Sequence, residues 1–208
     1  MSLKLVILDR DGTINVDSDE FIKSPEEWHP IEGALEAIGR LNHAGYRVVV
    51  ATNQSGLGRG LMDVASLNAI HAQMNKQLSK VGGRIDAIFY CPHAPDEGCL
   101  CRKPAPGLLE QIAERYGIAL EGVPFVGDSL RDMHAAQAGG CRPHLVLTGK
   151  AMGLQGQPLP PDYPANTRVH KDLDAFVSHW LSAAGTPAAA SGPVATPVLP
   201  TTPPTPAA

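Results

Sequence analysis

Residues 3–13, LKLVILDRDGT, combine a strand-like apolar run with two acidic residues at its end. Short runs rich in Val, Ile and Leu are typical of strands that are buried on both faces of a parallel sheet. Segments with helical periodicity separate this run from four others of the same kind. The predicted strands are 4–9, 47–53, 85–91, 124–128 and 144–148. Because strands that alternate with helices form right-handed crossovers, we predict an α/β fold with a doubly wound, Rossmann-like parallel sheet.

The first cluster of chemically competent residues is the acidic pair at the end of the first predicted strand. Asp9 and Asp11 are two positions apart, so their side chains point the same way, and Gly12 allows a sharp turn directly afterwards. Two adjacent carboxylates can divide the work of phosphate transfer. One attacks phosphorus to form an aspartyl-phosphate, and the other protonates the leaving oxygen and later activates water. An ordinary acidic turn is the alternative interpretation.

Two further clusters offer groups that suit a phosphate. The segment Thr52-Asn53-Gln54-Ser55 supplies hydroxyl and amide donors near the start of a helix, although ordinary turn chemistry also uses such residues. Lys103 can stabilise a transferring phosphoryl group as a point charge, and the Arg102 fork suits a substrate phosphate or hydroxyl. A solvated basic pair on the surface is the alternative for these two residues.

The fourth cluster predicts a magnesium site. Asp128 follows a predicted strand and is positioned to share Mg²⁺ with Asp9 and the backbone carbonyl of Asp11, because magnesium prefers hard oxygen ligands. Asp132 has two interpretations that remain open. Ser129 to Asp132 fits a helix capping box, and Asp132 could instead hold Lys103 or a metal-bound water in place.

The loop after the third predicted strand contains a Cys-x-His-x₅-Cys-x-Cys pattern. Cys91, His93, Cys99 and Cys101 offer three thiolates and one imidazole, which together complete a tetrahedral zinc shell. A closed shell has no position for substrate, so the predicted zinc is structural. Disulfide pairing is the less favoured alternative, because Cys99 and Cys101 are too close in sequence to pair comfortably.

Taken in order, these motifs resemble those of the haloacid dehalogenase-like phosphatases over roughly residues 3–150. The matching elements are Asp9-x-Asp11-Gly-Thr, Thr52-Asn53, Lys103, and Gly127-Asp128 with Asp132. The resemblance implies Asp9 as nucleophile, Asp11 as general acid and base, and Mg²⁺ as cofactor, with Thr52 and Lys103 completing the catalytic set. The interval between Asp11 and Thr52 is too short for an inserted cap domain, so we predict an open site.

The zinc loop and the segments around it resemble the capless, zinc-containing branch of that superfamily. That branch implies hydrolysis of the C7 phosphate of a D-glycero-D-manno-heptose 1,7-bisphosphate, on the route to ADP-heptose and lipopolysaccharide. Histidinol phosphate is the alternative substrate, because five residues between His93 and Cys99 match its phosphatases. The implied substrate-binding residues are Asp17, Asn53, Gln54, Ser55 and Arg102.

Net charge, apolar runs and local composition limit the possible partners, location and domain organisation. A net charge of -4 gives no basic field for nucleic acid or a membrane surface, and no apolar run is long enough to span a bilayer. We therefore predict a cytoplasmic, monomeric protein that acts on a small molecule. Residues 1–182 form the predicted phosphatase domain. Residues 183–208 are rich in Pro, Ala and Thr, carry no charged side chain, and are predicted to be a disordered tail.

Two functions from other classes compete with a phosphatase. A signalling receiver also phosphorylates an Asp in a doubly wound sheet, but a second carboxylate such as Asp11 would promote hydrolysis and erase the signal. A zinc-binding interaction module would not need Asp9, Asp11, Lys103 and Asp128 together. Both alternatives are therefore disfavoured by the sequence.

Overall fold

The computed structural model describes residues 3–185 and contains a six-stranded, fully parallel sheet. The strands are arranged in the order β3-β2-β1-β4-β5-β6, so the chain starts in the middle and winds outward in both directions. The predicted α/β, doubly wound fold is confirmed. The strands are β1 Leu5–Leu8, β2 Arg47–Asn53, β3 Ala87–Cys91, β4 Pro124–Gly127, β5 Arg142–Val146 and β6 Arg168–His170.

Helices cover both faces of the sheet. Apolar residues of α1, α3 and α6 form one core cluster, and those of α4 and α5 form a second cluster on the opposite face. β1 serves both clusters, because successive strand residues point to opposite faces: Val6 and Leu8 enter the first cluster, and Leu5 and Ile7 the second. The helices are α1 Ala34–His43, α2 Ser55–Gly58, α3 Val64–Lys80, α4 Gly107–Tyr116, α5 Leu130–Ala138 and α6 Leu173–Gly185.

The strand predictions need three corrections, of which the first is that β3 begins at Ala87, two residues later than predicted. β5 begins at Arg142 and ends at Val146, two residues earlier than predicted, because Arg142 pairs with Pro124 at the start of β4. β6 was not predicted at all. It has only three residues, of which Arg168 and Val169 are exposed, and so lacks the apolar run that marks a buried strand. It pairs with β5 from His144 to Val146 and forms one edge of the sheet.

The short connections leave the carboxyl edge of the sheet open. Between β1 and β2 the chain forms only a 3₁₀ turn at Pro25–Glu27 and helix α1, so the predicted absence of a cap domain in this interval is confirmed. No helix within residues 3–185 is long and apolar enough to cross a membrane. α6 continues to Gly185, past the predicted domain boundary at 182, and the rest of the predicted tail lies outside the described residues.

Candidate active site

A cavity of about 280 Å³ opens at the carboxyl ends of the central strands. Its position follows from the topology, because β1 lies between β2 and β4 and the loops after all three strands meet at one edge. The cavity is lined by every residue that the sequence predicts for catalysis, substrate binding or magnesium: Asp9, Asp11, Asp17, Thr52, Asn53, Gln54, Ser55, Arg102, Lys103 and Asp128.

The floor of the cavity is a buried chain of charges centred on Lys103. Its Nζ lies 2.8 Å from Asp9 Oδ1 and 2.6 Å from Asp132 Oδ1, and it donates to the backbone carbonyl of Ala51 at 2.9 Å. Burial alone would lower the pKa of Lys103, but the charges of Asp132 and Asp9 raise it above its usual value. Lys103 is therefore a fixed positive charge beside Asp9.

Asn53 fixes the backbone that carries this lysine. Its Oδ1 accepts from the Lys103 backbone N–H at 3.0 Å, and its Nδ2 donates to the Lys103 carbonyl at 3.1 Å. A side-chain amide that pairs with both backbone groups of one residue reproduces the pattern of a β-ladder. Asn53, at the end of β2, thus holds Lys103 next to the end of β1, although Asn53 and Lys103 are 50 positions apart in sequence.

Asp132 combines both interpretations that the sequence left open. Its Oδ2 accepts from the Ser129 backbone N–H at 3.0 Å, as in a capping box, and its Oδ1 pairs with Lys103. Asp132 is fully buried at the start of α5. One carboxylate therefore caps a helix and holds the catalytic-site lysine.

The Asp128 carboxylate is enclosed by two glycines and the loop after β5. A Cβ at Gly12 would lie 2.2 Å from Asp128 Oδ2, and a Cβ at Gly149 would approach the same oxygen to 2.1 Å. Both glycines have positive φ, so the backbone itself approaches the carboxylate. The Lys150 N–H donates to Asp128 Oδ2 at 2.7 Å, and Thr148 Oγ1 donates to the Gly12 carbonyl at 2.5 Å.

The electrostatics of the floor fit a divalent cation. Carboxylate oxygens of Asp9, Asp128 and Asp132 all lie within 4.8 Å of one another. Burial, opposed by Lys103, raises the pKa of Asp9 to about 7, and burial together with the charges of Asp132 and Asp9 raises the pKa of Asp128 to about 8. One ammonium cannot balance three buried carboxylates, and hard oxygen ligands are those that Mg²⁺ prefers.

The cysteines and the histidine of the predicted zinc loop converge at the end of β3. Cys91 Sγ lies 3.6 Å from Cys99 Sγ and 3.5 Å from His93 Nδ1, and His93 Nδ1 lies 3.2 Å from Cys101 Sγ. Bonds of about 2.3 Å to a tetrahedral zinc place neighbouring sulfurs about 3.7 Å apart. The four side chains therefore match the size of a zinc shell. All the cysteines are free, so the disulfide alternative is not adopted.

Three arginines at the rim of the cavity form a feature that we call the arginine wall: Arg59, Arg102 and Arg131. Within residues 3–185 none of them forms an ion pair. Burial lowers the pKa of Arg102, and the charges of Arg131 and Arg59 lower it further, so Arg102 lies close to both other cations. Sequence reasoning gave a role only to Arg102, although Arg59 and Arg131 also follow strand-end motifs.

Lys150 is a third rim residue that sequence reasoning missed. Its Nζ pairs with Asp17 Oδ2 at 3.0 Å and with Asp19 Oδ1 at 2.5 Å, so the loop after β5 is joined to the loop after β1. The signal was available in principle, because Lys150 lies four residues after the end of a strand. Its acidic partners lie more than 130 positions earlier in the sequence, so no nearby residue indicated them.

The predicted substrate-binding residues differ in how far they are free to meet a ligand. Gln54 Nε2 already donates to Asp11 Oδ2 and to Thr52 Oγ1, each at 2.9 Å, and its side chain is buried. Asp17, Ser55 and Arg102 line the open cavity. A substrate-binding role for all of them stays a prediction, and in this structure Gln54 supports Asp11.

Comparisons with known proteins agree with this geometry. A family model described as HAD-hydrolase-like matches residues 100–174. The D-glycero-beta-D-manno-heptose-1,7-bisphosphate 7-phosphatase of Bordetella bronchiseptica is 54% identical over 88% of this chain and 100% of its own length. The enzyme of the same description from Pseudomonas aeruginosa is 52% identical over 87% and 99%, respectively.

Solved structures give the same result. The D,D-heptose 1,7-bisphosphate phosphatase of B. bronchiseptica, complexed with magnesium and phosphate, superimposes with a TM-score of 0.83 and 54% identity, covering 87% of this chain and 99% of that one. The corresponding structure from Burkholderia thailandensis has a TM-score of 0.65 and 51% identity, over 86% and 99%.

Proposed function

This chain belongs to the family of D-glycero-beta-D-manno-heptose-1,7-bisphosphate 7-phosphatases within the haloacid dehalogenase-like superfamily, and from that premise we propose that it hydrolyses the C7 phosphate of this sugar bisphosphate. The product that retains the other phosphate is heptose 1-phosphate. The observation that carries the proposal is that one cavity is lined both by the nucleophile Asp9 and by the three cations of the arginine wall.

The chain's own residues account for the transfer of the phosphoryl group. An Asp9 oxygen attacks phosphorus, and the bond from phosphorus to the C7 oxygen breaks as the protonated form of Asp11 delivers its proton to that oxygen. Burial favours that form, whereas the Arg10 charge and the hydrogen bonds to Asp11 lower its pKa overall, so the ionised form that accepts a proton from water predominates in the free site. Water then attacks the aspartyl-phosphate while Asp11 takes up its proton, which frees Asp9. Lys103, fixed 2.8 Å from Asp9, stabilises the negative charge of the transferring group, and Thr52 lines the same cavity.

Metal ions complete the proposal in two places. Asp9, Asp128 and the backbone carbonyl of Asp11 would hold Mg²⁺, which when bound neutralises phosphate charge and orients the phosphoryl group. Magnesium is present with phosphate in the related B. bronchiseptica structure. Cys91, His93, Cys99 and Cys101 would hold a structural zinc ion.

The arginine wall favours a bisphosphate over histidinol phosphate. Histidinol phosphate carries a cationic amine and an imidazole, and three arginines without ion-pair partners in the described chain would repel that end of the molecule. A second phosphate would instead relieve the repulsion and accept charge-assisted hydrogen bonds. We therefore assign the C1 phosphate to this wall.

A substrate comparison with purified full-length protein and Mg²⁺ tests the assignment. We expect kcat/KM for the heptose 1,7-bisphosphate to exceed that for heptose 7-phosphate and for histidinol phosphate by at least about tenfold, because one charge-assisted hydrogen bond contributes about 1.5–3 kcal/mol. Arg102→Ala should reduce this preference to about threefold or less, since remote binding energy is expressed in turnover.

The matched control is Arg115→Ala, which removes an exposed arginine on α4 that does not line the cavity. This variant should keep the wild-type preference. If histidinol phosphate proves to be the better substrate and Arg102→Ala leaves the ranking unchanged, the heptose assignment is wrong and the short zinc loop was the better guide.

Zinc should be required to hold the loop that leads to the catalytic lysine. Cys101 directly precedes Arg102 and Lys103, and the Arg102 guanidinium donates to the His93 carbonyl at 3.5 Å. We expect about one zinc per chain by elemental analysis, and Cys99→Ser should lose most of it together with about tenfold or more of kcat. Cys141→Ser, outside the cluster, should keep its zinc. Full activity in zinc-free protein would contradict this prediction.

Three broader assignments remain proposals that rest on sequence. They are a cytoplasmic location, a role in supplying ADP-heptose for lipopolysaccharide, and a monomeric state.

A further inference from the structure

Arg10 is a buried charge that the proposed mechanism does not use. It lies between Asp9 and Asp11 in sequence, its side chain is only 1% exposed, and it does not line the cavity. A buried guanidinium is costly unless its donors are paired. The hydrogen-bond partners of Arg10 therefore indicate its role.

Most of those partners are atoms of the Asp11 carboxylate. Arg10 Nε donates to Asp11 Oδ1 at 3.0 Å, and Nη2 lies 2.9 Å from Oδ1 and 2.8 Å from Oδ2. Asn15 Nδ2 donates to Oδ1 and Gln54 Nε2 to Oδ2, each at 2.9 Å. Both oxygens of Asp11 are thus held by donors from three residues, and the planar guanidinium fork fixes the plane of the carboxylate.

Arg10 is itself held from the opposite side by α3. Its Nη1 donates to His71 Nε2 at 3.2 Å, and its Nη2 also donates to Gln54 Oε1 at 3.2 Å. Because a guanidinium can only donate, the His71 ring must present a lone pair at Nε2 and is therefore neutral. Burial and the Arg10 charge lower the pKa of His71 to about 4, which agrees with a neutral ring.

We propose that Arg10, anchored by His71, is the positioning residue that holds the Asp11 carboxylate toward the water that hydrolyses the aspartyl-phosphate. The proposal rests on the acid and base role given to Asp11 above. In that step the water oxygen forms a bond to phosphorus, its proton passes to Asp11, and the bond from phosphorus to Asp9 breaks. A carboxylate that rotates freely would meet the attacking water less often, so hydrolysis would slow.

Substituting Arg10 or His71 should therefore make the phosphorylated enzyme accumulate. p-Nitrophenyl phosphate is the probe, because its leaving group departs as a stable anion and the first step then needs no proton from Asp11. With Arg10→Lys we expect a burst of nitrophenolate of about one per active site, followed by turnover about 10–100-fold slower than wild type, as for other residues that orient a catalytic group. Lysine keeps the charge but cannot grip both oxygens.

His71→Leu offers the same test with the guanidinium left in place, in case Arg10→Lys folds poorly. We expect a smaller burst and about a tenfold slower second phase. His71→Gln, whose side-chain oxygen can accept from Arg10, should recover most of that loss. Acid quenching followed by mass spectrometry should find the accumulated phosphate on Asp9, and thermal melting should report the folding of each variant.

Asp11→Asn separates failure of this inference from failure of the proposed mechanism. If Asp11→Asn accumulates phosphoenzyme but the Arg10 and His71 variants do not, Arg10 has only a structural role and this inference is wrong. If Asp11→Asn itself shows no accumulation, the assigned role of Asp11 is wrong as well. A lower burst and a lower steady rate in equal proportion would mean only that fewer molecules fold, and would also overturn the inference.

Discussion

Asp9→Asn is expected to lose phosphatase turnover by about 10⁴–10⁶-fold, the range found when an enzyme's nucleophile is removed. Asparagine keeps the shape of the side chain but has no carboxylate to attack phosphorus. The neighbouring carboxylates within residues 3–185 are already engaged: Asp132 pairs with Lys103 and Ser129, Asp11 is held by Arg10, and Asp128 accepts from the Lys150 backbone N–H. Steady-state kinetics with the heptose 1,7-bisphosphate and Mg²⁺ measures the loss.

An acid-quench experiment checks the chemical origin of that loss. Wild-type protein stopped during turnover should carry phosphate on the peptide that contains Asp9, and Asp9→Asn should carry none. Asp174→Asn is the matched control, because Asp174 forms a surface ion pair with Arg40 and does not line the cavity. Near-normal turnover in Asp9→Asn would exclude the covalent mechanism.

Lys103→Met should cost about 10²–10³-fold in kcat and also destabilise the fold. The Lys103 ammonium lies between Asp9 and Asp132, so its removal leaves two buried carboxylates facing each other. Breaking a buried charge pair typically costs 3–5 kcal/mol in the free energy of unfolding, about the same scale as stabilisation lost from a transition state. Urea denaturation and steady-state kinetics measure the two effects separately.

Lys171→Met provides the control for Lys103→Met. Lys171 is mostly exposed and pairs loosely with Asp172 at 3.8 Å, so its loss should change neither quantity by much. If Lys103→Met is as stable as wild type and retains more than about a third of kcat, Lys103 neither balances the buried acids nor stabilises the transferring phosphate.

The sequence predicted the floor of the site because topology and chemistry point to the same positions. Strands that are buried on both faces are visible as apolar runs, and the loops at their carboxyl ends must meet. Asp9, Lys103 and Asp128 could therefore be placed together before any distance was known. The zinc loop was equally accessible, because its four ligands lie within eleven residues.

The rim residues, and the buried residues that hold Asp11, could not be predicted from the sequence in the same way. β6 has no apolar run, and the preceding strand was placed two residues late. Lys150 was missed because its partners, Asp17 and Asp19, lie more than 130 positions earlier in the sequence. Arg10 and His71 are 61 positions apart, and only the packing of α3 against the sheet brings them within 3.2 Å. A lone histidine on an amphipathic helix carries no sign of such a partner.

The two glycines that enclose Asp128 have a consequence for changing what the enzyme accepts. Any side chain at position 12 or 149 would collide with the Asp128 carboxylate. The rim is different, since Asp19, Arg59, Arg131 and Lys150 reach the site from exposed loops or helix ends. Mutant libraries intended to change the substrate range should therefore vary the rim residues and leave the floor residues and the two glycines unchanged.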